Sequence, residues 1–214
     1  DGRMFPVTDS SQTIVDCLMN AARNAGVVIR THCGVKAVAR SADGGFQLSL
    51  ITGETVAVDR LLLATGGNKS NAGFTIAAQF GHTIEPPVPS LFTFNITDPR
   101  LHDLAGVSVE EATTAVVGTK LAERGPLLVT HWGLSGPAVL KLSAWGARVL
   151  HDRGYQFKVR VNWAPQYNAE QARAVLEQAR AANPRKQITT WCPVGIPSRL
   201  WEKLVIAAGL APEA

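Results

Sequence analysis

Apolar positions along the chain follow two rhythms, one helical and one extended, and the order in which they alternate is informative. Ile14, Val15, Leu18, Met19 and Ala22 recur at helical spacing. Ahead of them, Asp9-Ser10-Ser11-Gln12 has the spacing of a capping box with Asp9 as N-cap, and Gly26 supplies a stop. This predicts an amphipathic helix of about four turns. Extended segments follow at 27–30 and 35–40. After a turn at Asp43-Gly44-Gly45, residues 46–51 alternate as a strand, and Thr52-Gly53-Glu54 turns into a further strand over 55–58.

Leu61, Leu62 and Leu63 then stand in succession without polar alternation. That pattern suits a strand over 61–64 covered on both faces, as in a parallel sheet. It closes on Thr65, Gly66 and Gly67, at the carboxyl end of the strand, where open α/β sheets hold their ligands. Glycine there lets a backbone approach a flat ring or a phosphate; an ordinary strand exit is the plain alternative. A second helix is expected over 72–80, ended by Gly81.

The texture changes after Glu85-Pro86-Pro87-Val88-Pro89, a stiff stretch at which a domain boundary is expected. Short β segments at 91–96, 107–109, 113–118 and 127–130 predict a small barrel or sandwich. Thr130-His131-Trp132-Gly133-Leu134-Ser135-Gly136-Pro137 leads into a helical pattern over 138–150, with Pro137 in its first turn and Gly136 or Ser135 as cap. A strand is expected over 155–163. Asn168 caps a helix over 169–182, Pro184 stops it, and Pro197-Ser198 opens a last helix carrying Leu200, Trp201, Leu204, Val205 and Ala208 on one face.

Composition narrows the classes. Of 214 residues, 46% are apolar and 18% charged, enough for a sizeable core. The net charge of +4 is scattered rather than gathered into a Lys/Arg tract, so charge alone argues weakly for nucleic acid. No apolar run has the length of a membrane helix. Cys17, Cys33 and Cys192 are odd in number and far apart, which fits a reducing cytoplasm better than a disulfide framework. His32-Cys33 lacks a second cluster to complete a zinc site, so no metal is expected. Residues 1–6 read as neither a signal peptide nor a natural start, so a piece of a longer protein is expected.

A helix, a strand, an antiparallel meander and a strand again is the order found in the middle of two-dinucleotide FAD-binding folds. The Gly-x-Gly-x-x-Gly turn that grips the pyrophosphate in such folds is absent from the sequence. Taken with Gly2-Arg3-Met4-Phe5-Pro6, Ala64-Thr65-Gly66-Gly67, Gly81-His82-Thr83, Pro89-Ser90-Leu91 and the 130–137 run, the chain resembles the predicted FAD-dependent oxidoreductases of the aminoacetone-oxidase and bile-acid-dehydroxylation type. The resemblance covers essentially the whole chain, and the 130–137 run is its most specific part.

What the resemblance implies is a mixed α+β and α/β chain. Residues 1–83 would be the second segment of a split FAD-binding domain. Residues 84–165 would form an inserted β-barrel and 166–214 its helical part. Val35 would lie near the adenine, and Ala64, Thr65, Gly66 and Gly67 would pass the FAD. Arg3, Phe5 and Pro6 match a family loop. Relatives often carry a longer Gly-rich loop where this chain has 68–73. The N- and C-terminal segments of the same protein would complete the cofactor site, and the chain alone is expected to be inactive.

His131 and Thr130 are the candidates for chemistry, since an imidazole can give or take a proton near neutral pH. A structural, hydrogen-bonded histidine is the competing reading. Ser135 lacks the Gly-x-Ser-x-Gly frame of a nucleophile elbow, so capping is its expected role. His82 and His102 read as surface or boundary residues. The five tryptophans read as packing residues, and Arg180, Arg185, Lys186, Arg199 and Lys203 as a solvated face. The expected function is flavin-dependent oxidation or reduction of a small molecule. The alternative is a non-catalytic module that binds protein or nucleic acid.

Overall fold

The computed structural model describes residues 5–66 and 71–210, and the chain divides into two compact units, Asp1–Glu85 and Pro86–Ala214.

In the first unit, α1 spans Ser11–Asn24. Its N-cap is Ser10 rather than Asp9: the Ser10 hydroxyl accepts from the Gln12 amide, and Asp9 takes a left-handed φ of 49° one residue outside the helix. The capping box expected between Asp9 and Gln12 is therefore not formed, and the Gln12 amide group donates instead to Asp16. No residue of α1 is buried, so its apolar stripe of Ile14, Val15 and Leu18 is exposed.

The meander is as expected: β1 (Val35–Arg40), β2 (Phe46–Leu50) and β3 (Thr55–Val58) pair antiparallel in that order. Arg30 and Glu54 form an ion pair beside it. Helix α2 covers Ala72–Gln79, and the Phe80 ring that follows meets Phe46 edge to face under the Arg40 guanidinium. The segments 27–30 and 61–64 are not strands. A strand exists only through a neighbour that takes its ladder bonds, and no described residue pairs with either segment. Their side chains remain largely outside a core, with Val28 83% and Leu62 88% exposed.

The second unit holds a five-stranded antiparallel sheet made of β4 (Phe94–Asn95), β5 (Ser108–Val116), β6 (Ala122–Thr130), β7 (Gly133–Ser135) and β8 (Val159–Asn162), in the order β4-β7-β6-β5-β8. Two expected strands at 107–109 and 113–118 are one strand, β5, with an irregularity between Val109 and Ala112. The sheet curls into a half-barrel, and α3 (Pro137–Trp145) packs across β5, β6 and β7. Ala138, Val139 and Leu142 on α3 and Leu127 and Val129 on β6 are fully buried. The helix expected over 138–150 breaks at Gly146, and α4 (Ala147–Asp152) continues from there.

Helix α5 (Ala169–Ala182) begins with a complete Asn168–Gln171 capping box, and α6 (Ser198–Ala207) buries Leu200, Trp201 and Val205. Val194, Ile196, Leu200, Trp201 and Val205 belong to the same apolar cluster as the sheet and α3, so the helical tail and the half-barrel share one core. Of the tryptophans, Trp201 is in that core and Trp163 packs against it, whereas Trp132 and Trp145 are 54% and 79% exposed rather than packed.

Candidate functional site

The 130–137 run is two close backbone approaches in succession. Thr130 pairs with Gly133 across a tight hairpin, so His131 and Trp132 form its tip. The Ile96 amide donates to the Trp132 carbonyl at 2.8 Å, clamping β4 against that tip. Gly133 has φ 148°, and a Cβ there would overlap the backbone of Phe94 and Ile96. Gly136 has φ 98°, and a Cβ would stand 2.8 Å from the Pro126 carbonyl oxygen. Gly136 is also the N-cap of α3, with Pro137 at its first position, so the cap is the glycine and not the Ser135 side chain.

An open groove of about 560 Å³ runs past this hairpin. Thr130 and His131 line it on one side. His102, Asp98 and Asp103 line it from the segment around a single 3-10 turn at Pro99–Leu101, and Arg199 from the start of α6. His131 is exposed, with its imidazole available to a molecule in the groove. The Thr130 hydroxyl oxygen is the reverse: shut away from solvent and without a hydrogen-bond partner among the described residues.

The charges along the groove are largely matched. Asp98 accepts from the Arg100 side chain and caps the Arg100 amide, and the guanidinium holds its carboxyl below the usual carboxylate range. Arg199 donates to the Asp103 carbonyl, and Lys203 lies 3.7 Å from the Asp103 carboxylate. Among the described residues, no group of three His, Cys, Asp or Glu side chains could hold a metal ion. Cys17, Cys33 and Cys192 are free thiols.

Sequence reading missed the grouping of His131 with His102, Asp98, Asp103 and Arg199. These residues are far apart along the chain and lie mostly in irregular segments, which carry no periodic signal. Only the turn chemistry of Asp98-Pro99 hinted at a fixed loop there.

The residues expected to meet a cofactor lie in the first unit. Val35 opens β1 and is 37% exposed. Ala64, Thr65 and Gly66 are exposed in irregular backbone, with Gly66 at a left-handed φ of 64°, and Thr65 abuts Gly73 in the first turn of α2, where any Cβ would overlap the Thr65 hydroxyl. The start of α2 has no side-chain cap, since Asn71 takes a left-handed φ of 50°, so amides of its first turn are free of one. Among the described residues no strand pairing or hydrogen bond joins Val35 to 64–66. Gly67 and Arg3 lie outside the described residues; Phe5 is exposed and Pro6 partly so.

The sequence model of the HI0933-like protein barrel and H2TH domain matches residues 88–214. The chain belongs to the HI0933-like family. It is 36% identical over 95% of its length to an Escherichia coli protein named ribosomal RNA dihydrouridine synthase, covering 49% of that protein. A Haemophilus influenzae protein of the same name is 33% identical over 66% of the chain and 34% of its own length. A Clostridium scindens 3-dehydro-bile acid delta(4,6)-reductase is 32% identical over 80% of the chain and 43% of its own length. The chain thus spans about half, or less, of the curated relatives it matches.

Proposed function

We propose that this chain is part of an FAD-dependent reductase and that the substrate of the whole protein is ribosomal RNA. The observation that carries this is the similarity, over nearly the full chain, to a relative named for making dihydrouridine in ribosomal RNA. The bile-acid reductase relative supports the same class of chemistry, since both names describe adding hydrogen to an unsaturated ring. It is also the relative that favours the small-molecule reading.

The residues of the first unit fit the cofactor. Ala64, Thr65, Gly66 and Gly67 would hold FAD along their backbone. Small side chains leave the backbone of residues 64–66 exposed, close to the uncapped start of α2 against which Thr65 packs. Val35 would face the adenine. When bound, the flavin supplies a hydride. His131 would hold a proton at a ring nitrogen for the other carbon of the reduced bond, and Thr130, through its backbone pairing with Gly133, would hold the hairpin that presents it. The remaining segments of the protein would complete the cofactor site, so this chain alone would not turn over. A cytoplasmic location accords with a ribosomal RNA substrate; no helix among the described residues is long and apolar enough to cross a membrane.

The test is the visible absorbance of the purified parent protein, followed by its incubation with reduced nicotinamide and unmodified ribosomal RNA. Flavin bands and an RNA heavier by two hydrogen atoms are expected. A colourless protein that takes up no FAD removes the flavin reading. A yellow protein that reduces a steroid enone and leaves RNA unchanged removes the RNA reading.

A further inference from the structure

A second groove lies on the opposite functional footing from the first: it holds no histidine and no carboxylate pair, and nothing above uses it. It has a volume of about 560 Å³ and is bounded by α5, the 183–193 connection and Leu210 beyond α6. Leu176, Ile188, Pro193 and Trp191 make an apolar floor, and Arg180 and Lys186 stand exposed on the rim. The Lys186 ammonium sits over the face of the Trp191 ring, 4.9 Å from its centre, so a cation and an aromatic face stand together on the rim. No ion pair among the described residues takes up Arg180 or Lys186.

We propose that this groove is a docking site for single-stranded RNA. The inference rests on the RNA reading of the function and names the surface that would grip that substrate away from the reacting base. A single strand offers what the groove offers in complement: flat apolar base faces alternating with anionic phosphates. The exposed Lys186 side chain swings from the face of the half-buried Trp191 to a phosphate, Trp191 takes a base on the face it leaves, and Arg180 takes the phosphate on the other side. Duplex nucleic acid fits less well, because its two charged backbones call for a continuous cationic track that the scattered charge of this chain does not provide. Glu177, one turn before Arg180 on α5, sets a limit to the path, since a phosphate passing its carboxylate would be repelled.

The test is binding of a short unstructured RNA to the full chain by fluorescence anisotropy over a series of salt concentrations. Replacing both cations (Arg180→Gln with Lys186→Gln) should weaken binding about tenfold and flatten the log–log salt slope by about 1.4, the value for two lost contacts on a single strand. Trp191→Ala should weaken it about tenfold with the slope nearly kept, the mark of lost stacking. Lys158→Gln with Arg160→Gln, the same loss of two charges at exposed sites at the start of β8, should alter neither by as much. Wild-type affinity and slope in the double variant overturn the groove while leaving the RNA reading in place. A full chain that binds no RNA at low salt, in a parent that still binds FAD, overturns both the groove and the RNA substrate but not the flavin.

Discussion

The rings of Phe94 and Phe157 meet edge to face with their centroids 5.1 Å apart, although one belongs to β4 and the other lies two residues before β8, the two edge strands of the sheet. Phe92 and Tyr155 repeat the contact two residues back on each side, at 5.7 Å. The curl of the sheet thus brings its edges together through aromatic side chains instead of ladder hydrogen bonds. Truncating the 3%-exposed Phe94 to Ala should cost about 3–5 kcal/mol. In a urea double-mutant cycle, Phe94 and Phe157 should couple by about 0.5–1.5 kcal/mol. A coupling near zero would mean that the edges do not meet in solution.

Gly133 answers to a stricter constraint than the residues around it. Its φ of 148° and the backbone of β4 against its Cα leave no room for a side chain. Gly133→Ala should therefore lower stability by about 2–4 kcal/mol, through strain and a forced displacement of β4. Thermal melting of the variant would show it, and an unchanged midpoint would contradict the close approach.

These contacts also explain which parts of the sequence could be read. The meander, α5 with its Asn168 cap, and the start of α6 carry their own local signals, and each forms where expected. The segments 27–30 and 61–64 carry an equally clear apolar signal but no strand, because Leu62 and Val28 have nothing to pair with among the described residues. β6 is longer than its pattern, since Gly125-Pro126 looks like a turn while β5 pairs on both sides of it, Ala112 with Gly125 and Val109 with Leu127. At the candidate site the hairpin was legible as a motif. The side chains that share the groove with His131 were not, because only the tertiary fold brings Asp98, His102 and Arg199 to it.

Thr114 stands in the buried row Ala112, Thr114 and Val116 of β5, fully covered, with a hydroxyl that has no partner among the described residues. Thr114→Val keeps the shape and removes the unsatisfied group. A gain of about 1 kcal/mol is expected, or about 2–4 °C in the melting midpoint. A loss on melting would indicate that the hydroxyl is satisfied, as by a buried water.

Asp98 gives the groove a defined acid limit. The Arg100 guanidinium beside it lowers its carboxyl, so its folded value lies below its unfolded one of about 3.9. The stabilisation of the 98–102 turn is then complete above that unfolded value and is lost as pH falls through the folded one. Carboxyl-carbon NMR should show Asp98 titrating at higher pH in Arg100→Gln than in the parent chain. The same midpoint in both would remove Arg100 as the cause.

His131 allows a separation of chemistry from structure. Its side chain is exposed at a hairpin tip whose geometry is set by Gly133, Gly136 and the Ile96–Trp132 hydrogen bond, none of which involves the imidazole. Removing it should leave the melting temperature within about 1 °C, as for an exposed position without a packing role. If it delivers the proton in the reaction of the parent protein, His131→Ala should lower kcat about 10²- to 10⁴-fold with little change in KM. The pH profile of the remaining activity should also lose the limb that an imidazole imposes. Full turnover in the variant would make the histidine a spectator and shift attention to His102, which faces the same groove.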